Sequence, residues 1–195
     1  MKDNGHHITY IFREIVIVVI GVLISISIYN YKEKLDNEQY IKKTLLAIEN
    51  EIKLGQSEVD TVLNRHLALL DYIGDNIDNE EETLYEIIAD QGGIQFPDVK
   101  NIGLRFFIAN KAELVDFDVI SMLSEIETNK NMLTSKFDKL LEFSYENMYD
   151  NDVETKTKFA VYLSNVVDSE QTLLKLYADY IDKHGEKLKK KEEDR

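Results

Sequence analysis

One stretch constrains the fold more than any other: Tyr10 to Tyr31, YIFREIVIVVIGVLISISIYNY. Ile15 to Ile28 carries no charge, and its only polar side chains are Ser25 and Ser27. At about 1.5 Å per residue the stretch covers roughly 31 Å as a helix, the thickness of a bilayer's hydrocarbon core. Tyr10 and Phe12 stand at one end, Tyr29 and Tyr31 at the other. Amphipathic rings prefer the headgroup level, so these four mark the two membrane boundaries. Ile and Val dominate and would suit a strand in water. An isolated strand has no sheet to join, and lipid demands that backbone groups pair within the segment. The stretch therefore reads as a transmembrane helix. The alternative is a cleaved signal peptide. Ile26, Ile28, Tyr29 and Asn30 stand where a peptidase wants small residues, so the segment is expected to be retained.

Arg13 and Glu14 sit at the start of this span. Arg13 can snorkel to the headgroups and belongs to the membrane boundary. Glu14 lies roughly 6 Å below the Tyr10 ring level, either solvated there or facing a partner. Glu14, Val18, Gly21, Ser25 and Ile28 follow a 4-3-4-3 spacing and share one helix face. Gly21 and Ser25 form a small-xxx-small pair, which lets two backbones approach closely. These five residues are the candidate transmembrane interface, and Ile17, Ile20 and Ile24 are expected on the face towards lipid. The bland reading is a monomeric anchor with an incidental Gly and Ser.

Glu14, Ile15, Val18, Val19, Ile20, Gly21, Val22, Leu23, Ile24 and Asn30 carry a resemblance. Here the chain resembles a bacterial group of short single-pass membrane proteins classed as a domain of unknown function. Their signature runs approximately Gly-Glu-Ile, Ile/Leu/Val repeats, Gly-Ile-Leu-Ile-Ala, Asn-Asn-Trp-Asn-Glu. Arg13, Ser25, Tyr29 and Tyr31 depart from it, standing for Gly, Ala, Asn and Trp. The resemblance covers residues 13–33 and is loose beyond them. It implies an inner-membrane anchor with a helical domain outside the cytoplasm, and no particular activity.

Charge narrows the partners. Lys2, Asp3, Arg13 and Glu14 cancel within the first 31 residues, so the net charge of −14 belongs to residues 32–195. Such a surface repels nucleic acid, and no nucleic-acid partner is expected. The chain has no cysteine, which excludes disulfides, thiolate metal sites and thiol catalysis. Counting cations for orientation gives Lys2 and Arg13 before the span and Lys32, Lys34, Lys42 and Lys43 after it. Taken literally, that puts the C-terminal domain in the cytoplasm. The resemblance implies the opposite, a periplasmic domain, and that is the expectation adopted.

Residues 1–9 read as a tail, 10–31 as the span and 32–40 as a polar juxtamembrane stalk. A heptad stripe follows: Ile41, Leu45, Ile48, Ile52, Gly55, Val59, Val62, His66, Leu69 and Ile73, with every step four or three. Leu46, Leu63, Leu67 and Leu70 widen it to a bundle face. Gly74 is expected to stop this helix. Asn79 with Glu82 is a capping pattern ahead of a short helix, TLYEIIADQ, which Gly92-Gly93 ends. Ile102 to Ala109 is taken as a short helix. Asn110 with Glu113 opens a long helix, about 112–149, with Val119, Leu123, Ile126, Leu133, Phe137 and Leu140 inward. Asn151 with Glu154 opens the last helix, with Ala160, Leu163, Val167, Leu174, Tyr177 and Ile181 inward, and His184-Gly185 closes it. The fold class is all-α: a transmembrane helix, then an antiparallel bundle of three long and one or two short helices over residues 41–184. Residues 185–195 form a charged tail.

No constellation of catalytic residues emerges. His6 and His7 adjoin in the tail with no third ligand near. His66 holds a core heptad position, where a hydrogen-bonded core histidine is commoner than a ligand. His184 suits the dipole of a helix end. Asp116 and Asp118 diverge by about 200° on a helix and cannot clamp one ion; Asp116 reads as a cap. There is no phosphate loop or nucleophile elbow. The expectation is no enzyme, no cofactor and no metal. Tyr145, Tyr149, Tyr162, Tyr177 and Tyr180 crowd the last two helices as boundary packing or as a partner-binding face. Two functions fit: a membrane-anchored scaffold or accessory subunit, binding lipid and a second copy or another membrane protein, or an extracytoplasmic sensor that binds a small ligand and signals through a partner.

Overall fold

The heptad stripe that begins at Ile41 needs a surface to bury against, and two later helices supply it. The computed structural model describes residues 4–100 and 114–185. The Ile102–Ala109 run, the Asn110/Glu113 capping pattern and the KLKKKEEDR tail lie outside the described residues, as do the side chains of His6 and His7. The chain is all-α: α1 (Asn4–Asp75), α2 (Leu84–Asp90), α3 (Phe117–Glu146) and α4 (Val153–Tyr180), with a π-helical turn, Ile181–Gly185, after α4. It divides into two compact units, Met1–Lys43 and Thr44–Arg195.

In the first unit α1 is exposed on every face over residues 12–31, and Ile15 to Ile28 within it carries no charge. It is the one described helix long and apolar enough to cross a membrane. Along the stripe Ile41 and Leu45 are half-buried, and Ile48, Ile52, Gly55, Val59, Val62, His66, Leu69 and Ile73 are all buried. Gly55 has a packing reason. A Cβ built there would lie 3.2 Å from the Tyr177 hydroxyl, so glycine lets α4 lie close against α1.

The partner helices are ordered by their contacts. Lys136 on α3 meets Asn165 and Ser169 on α4, while Phe143 meets Tyr162, so α3 and α4 are antiparallel. α4 is also antiparallel to α1, because Lys156 reaches Asn79, Glu170 reaches His66 and Tyr177 lies against Gly55. It follows that α1 and α3 run the same way, with the Phe137 ring 6.4 Å from that of His66. Parallel neighbours need a crossover connection, and α2 lies between them in the chain. Val119, Leu123, Ile126, Leu133, Phe137 and Leu140 are buried on α3 as the spacing requires.

α4 turns a different face inward from the one its spacing suggested. Leu163, Val167 and Tyr177 are buried, but Ala160, Leu174 and Ile181 are only half-buried. The buried row is Phe159, Leu163, Val166, Glu170, Leu173, Tyr177 and Tyr180, again in unbroken 4-3 steps.

Three helix boundaries also differ from expectation. α1 runs through Gly74, which has no left-handed backbone, to Asp75. The capping box before α2 is Thr83 with Glu86: the Glu86 amide donates to the Thr83 hydroxyl, and the Glu86 carboxylate accepts from the Thr83 amide. Asn79 instead accepts from the Glu81 amide at 3.1 Å in a local turn, and Glu82 accepts from the Tyr72 hydroxyl at 3.2 Å. Asp152, not Asn151, caps α4, accepting from the Thr155 amide at 2.9 Å. Asn151 donates to the Glu80 carbonyl. Backbone hydrogen bonds from the capped groups hold the Glu86 and Asp152 carboxyls below the usual carboxylate range. Their contribution is therefore present at neutral pH and is lost as pH falls through that range. Asp116 stands at the N-cap of α3 without a side-chain cap bond. After α2, Gly92 (φ 85°) and Gly93 (φ 82°) take the left-handed backbone that favours glycine, and end the helix as expected.

Ile48 is 1% exposed and Leu54, on the same helix, 71%. Ile48→Asp buries an unpaired charge, a cost comparable with the whole stability of a domain, about 5–15 kcal/mol. The full chain in detergent should then lose its cooperative thermal transition by circular dichroism. Leu54→Asp should shift stability by no more than about 0.5 kcal/mol. An unchanged midpoint for Ile48→Asp would mean that the α1 stripe does not form the core.

Candidate functional site

Two places bear on function: the outward face of the first unit and the polar centre of the second. In the first unit, 100° per residue puts Glu14, Val18, Gly21, Ser25 and Ile28 within an arc of roughly 80° on α1. All five are exposed, and nothing lies within 4 Å of where a Gly21 side chain would begin. The Ser25 hydroxyl donates to the Gly21 carbonyl at 2.9 Å, and Ser27 to Leu23 at 2.8 Å. Ser25 thus spends its proton within its own helix and offers a neighbour only an acceptor oxygen. Ile17, Ile20 and Ile24 lie about a quarter turn from the stripe, and Val16, Val19, Leu23 and Ile26 lie opposite it. Tyr10, Phe12, Arg13, Tyr29 and Tyr31 are exposed at the two ends of the apolar stretch.

In the second unit the α1 stripe has one ionisable member, His66, and the buried α4 row has one acidic member, Glu170. They meet. His66 Nδ1 stands 3.0 Å from one Glu170 carboxylate oxygen and 3.1 Å from the other, with both side chains fully buried. A carboxylate can only accept, so Nδ1 carries the proton and donates. The ring is thereby fixed in one tautomer and orientation. Nε2 is buried, with no hydrogen-bond partner among the described residues. Phe137 closes one side of the ring and itself packs against Phe96, with centroids 4.9 Å apart. His66 is thus a hydrogen-bonded core histidine, as its heptad position suggested.

Glu170 escaped the sequence reading, yet a signal was there. The apolar residues of α4 come in pairs, Phe159-Ala160, Val166-Val167, Leu173-Leu174 and Tyr180-Ile181. Two registers one residue apart therefore compete. Both pass through position 170, so a carboxylate is inward in either.

Other polar groups serve the ends of the bundle. Lys156 is fully buried, and its ammonium donates to the Asn79 carbonyl. The Leu84 and Tyr85 amides donate to the carbonyls of Asp150 (2.9 Å) and Met148 (2.8 Å). At the other end Glu49 is buried and accepts from Lys53. Tyr180 lies close enough to feel that carboxylate. Burial first, then Glu49, pushes its phenol well above the usual range, and burial alone does the same to Tyr177.

The tyrosine group divides in two. Tyr177 and Tyr180 belong to the core, while Tyr145 and Tyr149 stand out into solvent. Tyr162 packs on Phe143 with ring centroids 5.1 Å apart. With Thr157, Lys158 and Val161 these two rings line a surface groove of about 480 Å³. Among the described residues no group of three His, Asp or Glu could hold a metal ion.

No protein-family model matches the chain, and no curated protein or solved structure is similar to it at a significant level.

A double-mutant cycle tests the buried pair. His66→Leu alone leaves a buried carboxylate unpaired and should cost about 3–5 kcal/mol in urea unfolding. His66→Leu with Glu170→Leu should recover most of that loss, since an apolar replacement of both partners is often neutral or stabilising. Additive effects of the two substitutions would mean that the side chains do not interact.

Proposed function

We propose that this chain is a membrane-anchored helical scaffold or accessory subunit. Its single span holds it in a bacterial inner membrane, the Glu14–Ile28 face packs against another transmembrane helix, and its bundle binds other proteins. The observation that carries this reading is the joining of two features in one chain. α1 begins as an apolar helix exposed on every side and continues into a helix whose stripe is buried in a packed bundle. A soluble protein would not expose so much contiguous apolar surface without a partner for it. The groove at Phe143 and Tyr162, with exposed Tyr145 and Tyr149 nearby in sequence, supplies aromatic surface of the kind enriched at protein interfaces. The reading is non-enzymatic, and the direct pairing of His66 with Glu170 and of Lys156 with a backbone carbonyl supports it. Photocrosslinking in native membranes from positions along the Phe143–Tyr162 groove, with identification of what is attached, tests the scaffold role.

The second reading, a ligand-binding sensor, would gain support from a polar cavity within the bundle. The interior polar groups instead pair directly, His66 with Glu170 and Lys156 with a backbone carbonyl, which favours the scaffold.

The compartment follows from the resemblance of residues 13–33 to single-pass proteins with a domain outside the cytoplasm. Because the chain has no cysteine, one placed at exposed Ser57 is unique. Ser57→Cys should react with an impermeant thiol reagent once the outer membrane is permeabilised. Reaction only after lysis would put the bundle in the cytoplasm.

Close packing must drive helix association in lipid, where apolar contact gives no advantage over the acyl chains. Gly21→Leu adds bulk at the centre of the Glu14–Ile28 face and should weaken self-association or partner capture while leaving insertion intact. Leu23→Ile, on the opposite face, should change neither. Equal behaviour of the two variants in crosslinking would reduce the span to a tether.

A further inference from the structure

Much of the net charge of −14 gathers at one end of the bundle. Residues 75–90 carry seven acidic side chains and no lysine or arginine, and residues 142–158 carry five with two lysines. The fold joins these stretches. The Leu84 and Tyr85 amides donate to the carbonyls of Asp150 and Met148, and Asn151 donates to that of Glu80. Of these acids only Glu82 is half-buried, and the rest are exposed. Both lysines are already engaged. Lys156 is fully buried on the Asn79 carbonyl. Lys158 donates to Glu154 at 2.5 Å, and that carboxylate first, then Asp152, holds its ammonium above the usual range.

The Phe143–Tyr162 groove opens beside this acidic end. Glu146 lies one turn from Phe143 on α3, and Glu154 one turn from Lys158 on α4. Towards the middle of the bundle the charge changes sign. Lys139 is exposed one turn before Phe143, and Lys136 donates to the Asn165 carbonyl and the Ser169 hydroxyl. Between the two sides the lining is aromatic and aliphatic, with Val161 exposed beside the Phe143 and Tyr162 rings. At about 480 Å³ between two antiparallel helices, the groove admits the side chains of a further helix laid along it. Tyr85, Tyr145 and Tyr149 are exposed at the acidic side. A tyrosine face attracts a cation, arginine more often than lysine, and one such contact is worth about a two- to fivefold gain in affinity.

We propose that this groove docks a basic amphipathic helix of a partner protein. Its apolar side lies on Phe143, Val161 and Tyr162, and its arginines lie over the acids and tyrosines at the Asn79 end. The proposal rests on the reading of the bundle as a protein-binding scaffold and narrows it to one class of partner. Charge makes the choice among helices. A basic helix is steered towards this end before contact, whereas an acidic one meets like charge on approach and again in the complex. The apolar lining adds the second requirement, since a cationic chain without an apolar face leaves Val161 and the two rings uncovered.

Because the chain has no cysteine, Thr157→Cys puts a unique thiol in the groove, and Leu54→Cys puts one on an exposed part of α1 as a control. The full chain in a neutral detergent is mixed with model helices of about 18 residues. Each carries leucines on one face with a central activated cysteine among them, and arginine, glutamine or glutamate elsewhere. At position 157 the arginine helix should be trapped as a disulfide about tenfold faster than the glutamine helix, and the glutamate helix slowest. The preference should shrink several-fold at about 0.5 M salt and in the variant with Glu142→Gln, Glu146→Gln and Asp150→Asn. An arginine peptide of the same composition with scattered leucines should be trapped several-fold more slowly. Trapping of that scattered peptide as fast as the helix, or the same arginine preference at positions 157 and 54, overturns the proposal in favour of general attraction to an acidic protein. Equal trapping of all three helices at 157, each faster than at 54, defeats the basic partner but leaves the groove as a protein-binding surface. Equal rates at 157 and 54 for every helix would remove the groove from the scaffold reading as well.

Discussion

Burial of one stripe on α1 is the constraint on which the bundle depends. From Ile48 to Ile73 every step of four or three lands on a residue that solvent does not reach. α3 and α4 each bring a matching row, and the three rows share one core. Earlier in the same helix, Ile15 to Ile28 carries apolar side chains all round and is exposed on every face among the described residues. Along this one helix, all-round hydrophobicity gives way to a one-sided stripe that the bundle buries.

The His66–Glu170 pair adds selectivity to that burial. Apolar rows with a 4-3 repeat fit one another in several alignments offset by a heptad, and burial alone discriminates poorly between them. Sliding α4 by one heptad would set Glu170 against Val59 or Ile73 and leave both it and His66 without partners. A buried unpaired charge costs several kcal/mol, so one alignment is preferred by a wide margin.

How much of this could be read from the chain varied with the cleanness of each pattern. α1 and α3 present single apolar rows, and their buried residues follow directly from spacing. α4 presents apolar doublets, so its register is decided by what faces it: Tyr177 needs the gap at Gly55, and Glu170 needs His66. Caps were misplaced by a residue or a turn because Asn79, Thr83, Asn151 and Asp152 are all acceptable caps locally. Which one serves depends on tertiary bonds, such as that from Asn151 to the Glu80 carbonyl. The two carbonyl contacts of Lys136 and Lys156 were invisible for the same reason. Neither involves a residue type with a pattern to recognise. Of the candidate span face, the spacing was legible, but the inward bond of Ser25 was not, since it depends on a rotamer.

The direction of the three long helices gives the bundle two unlike ends. With α1 and α3 parallel, α4 must begin where both of them finish. There, polar chain ends are joined to one another by backbone bonds, Leu84 to Asp150 and Tyr85 to Met148, and by Lys156 to Asn79. Such bonds satisfy loop groups that would otherwise have to face water, and they make that end a closed junction. The opposite end gathers side chains instead: Glu49 with Lys53, the phenol of Tyr180 and the ring of His184. It is also where α1 comes in and where α4 leaves. A force applied to the chain on either side of the bundle therefore acts at one end, on groups held by side-chain contacts, while the bonded junction remains remote from it. That arrangement leaves the Phe143–Tyr162 groove, close to the closed end, on the better-braced part of the fold.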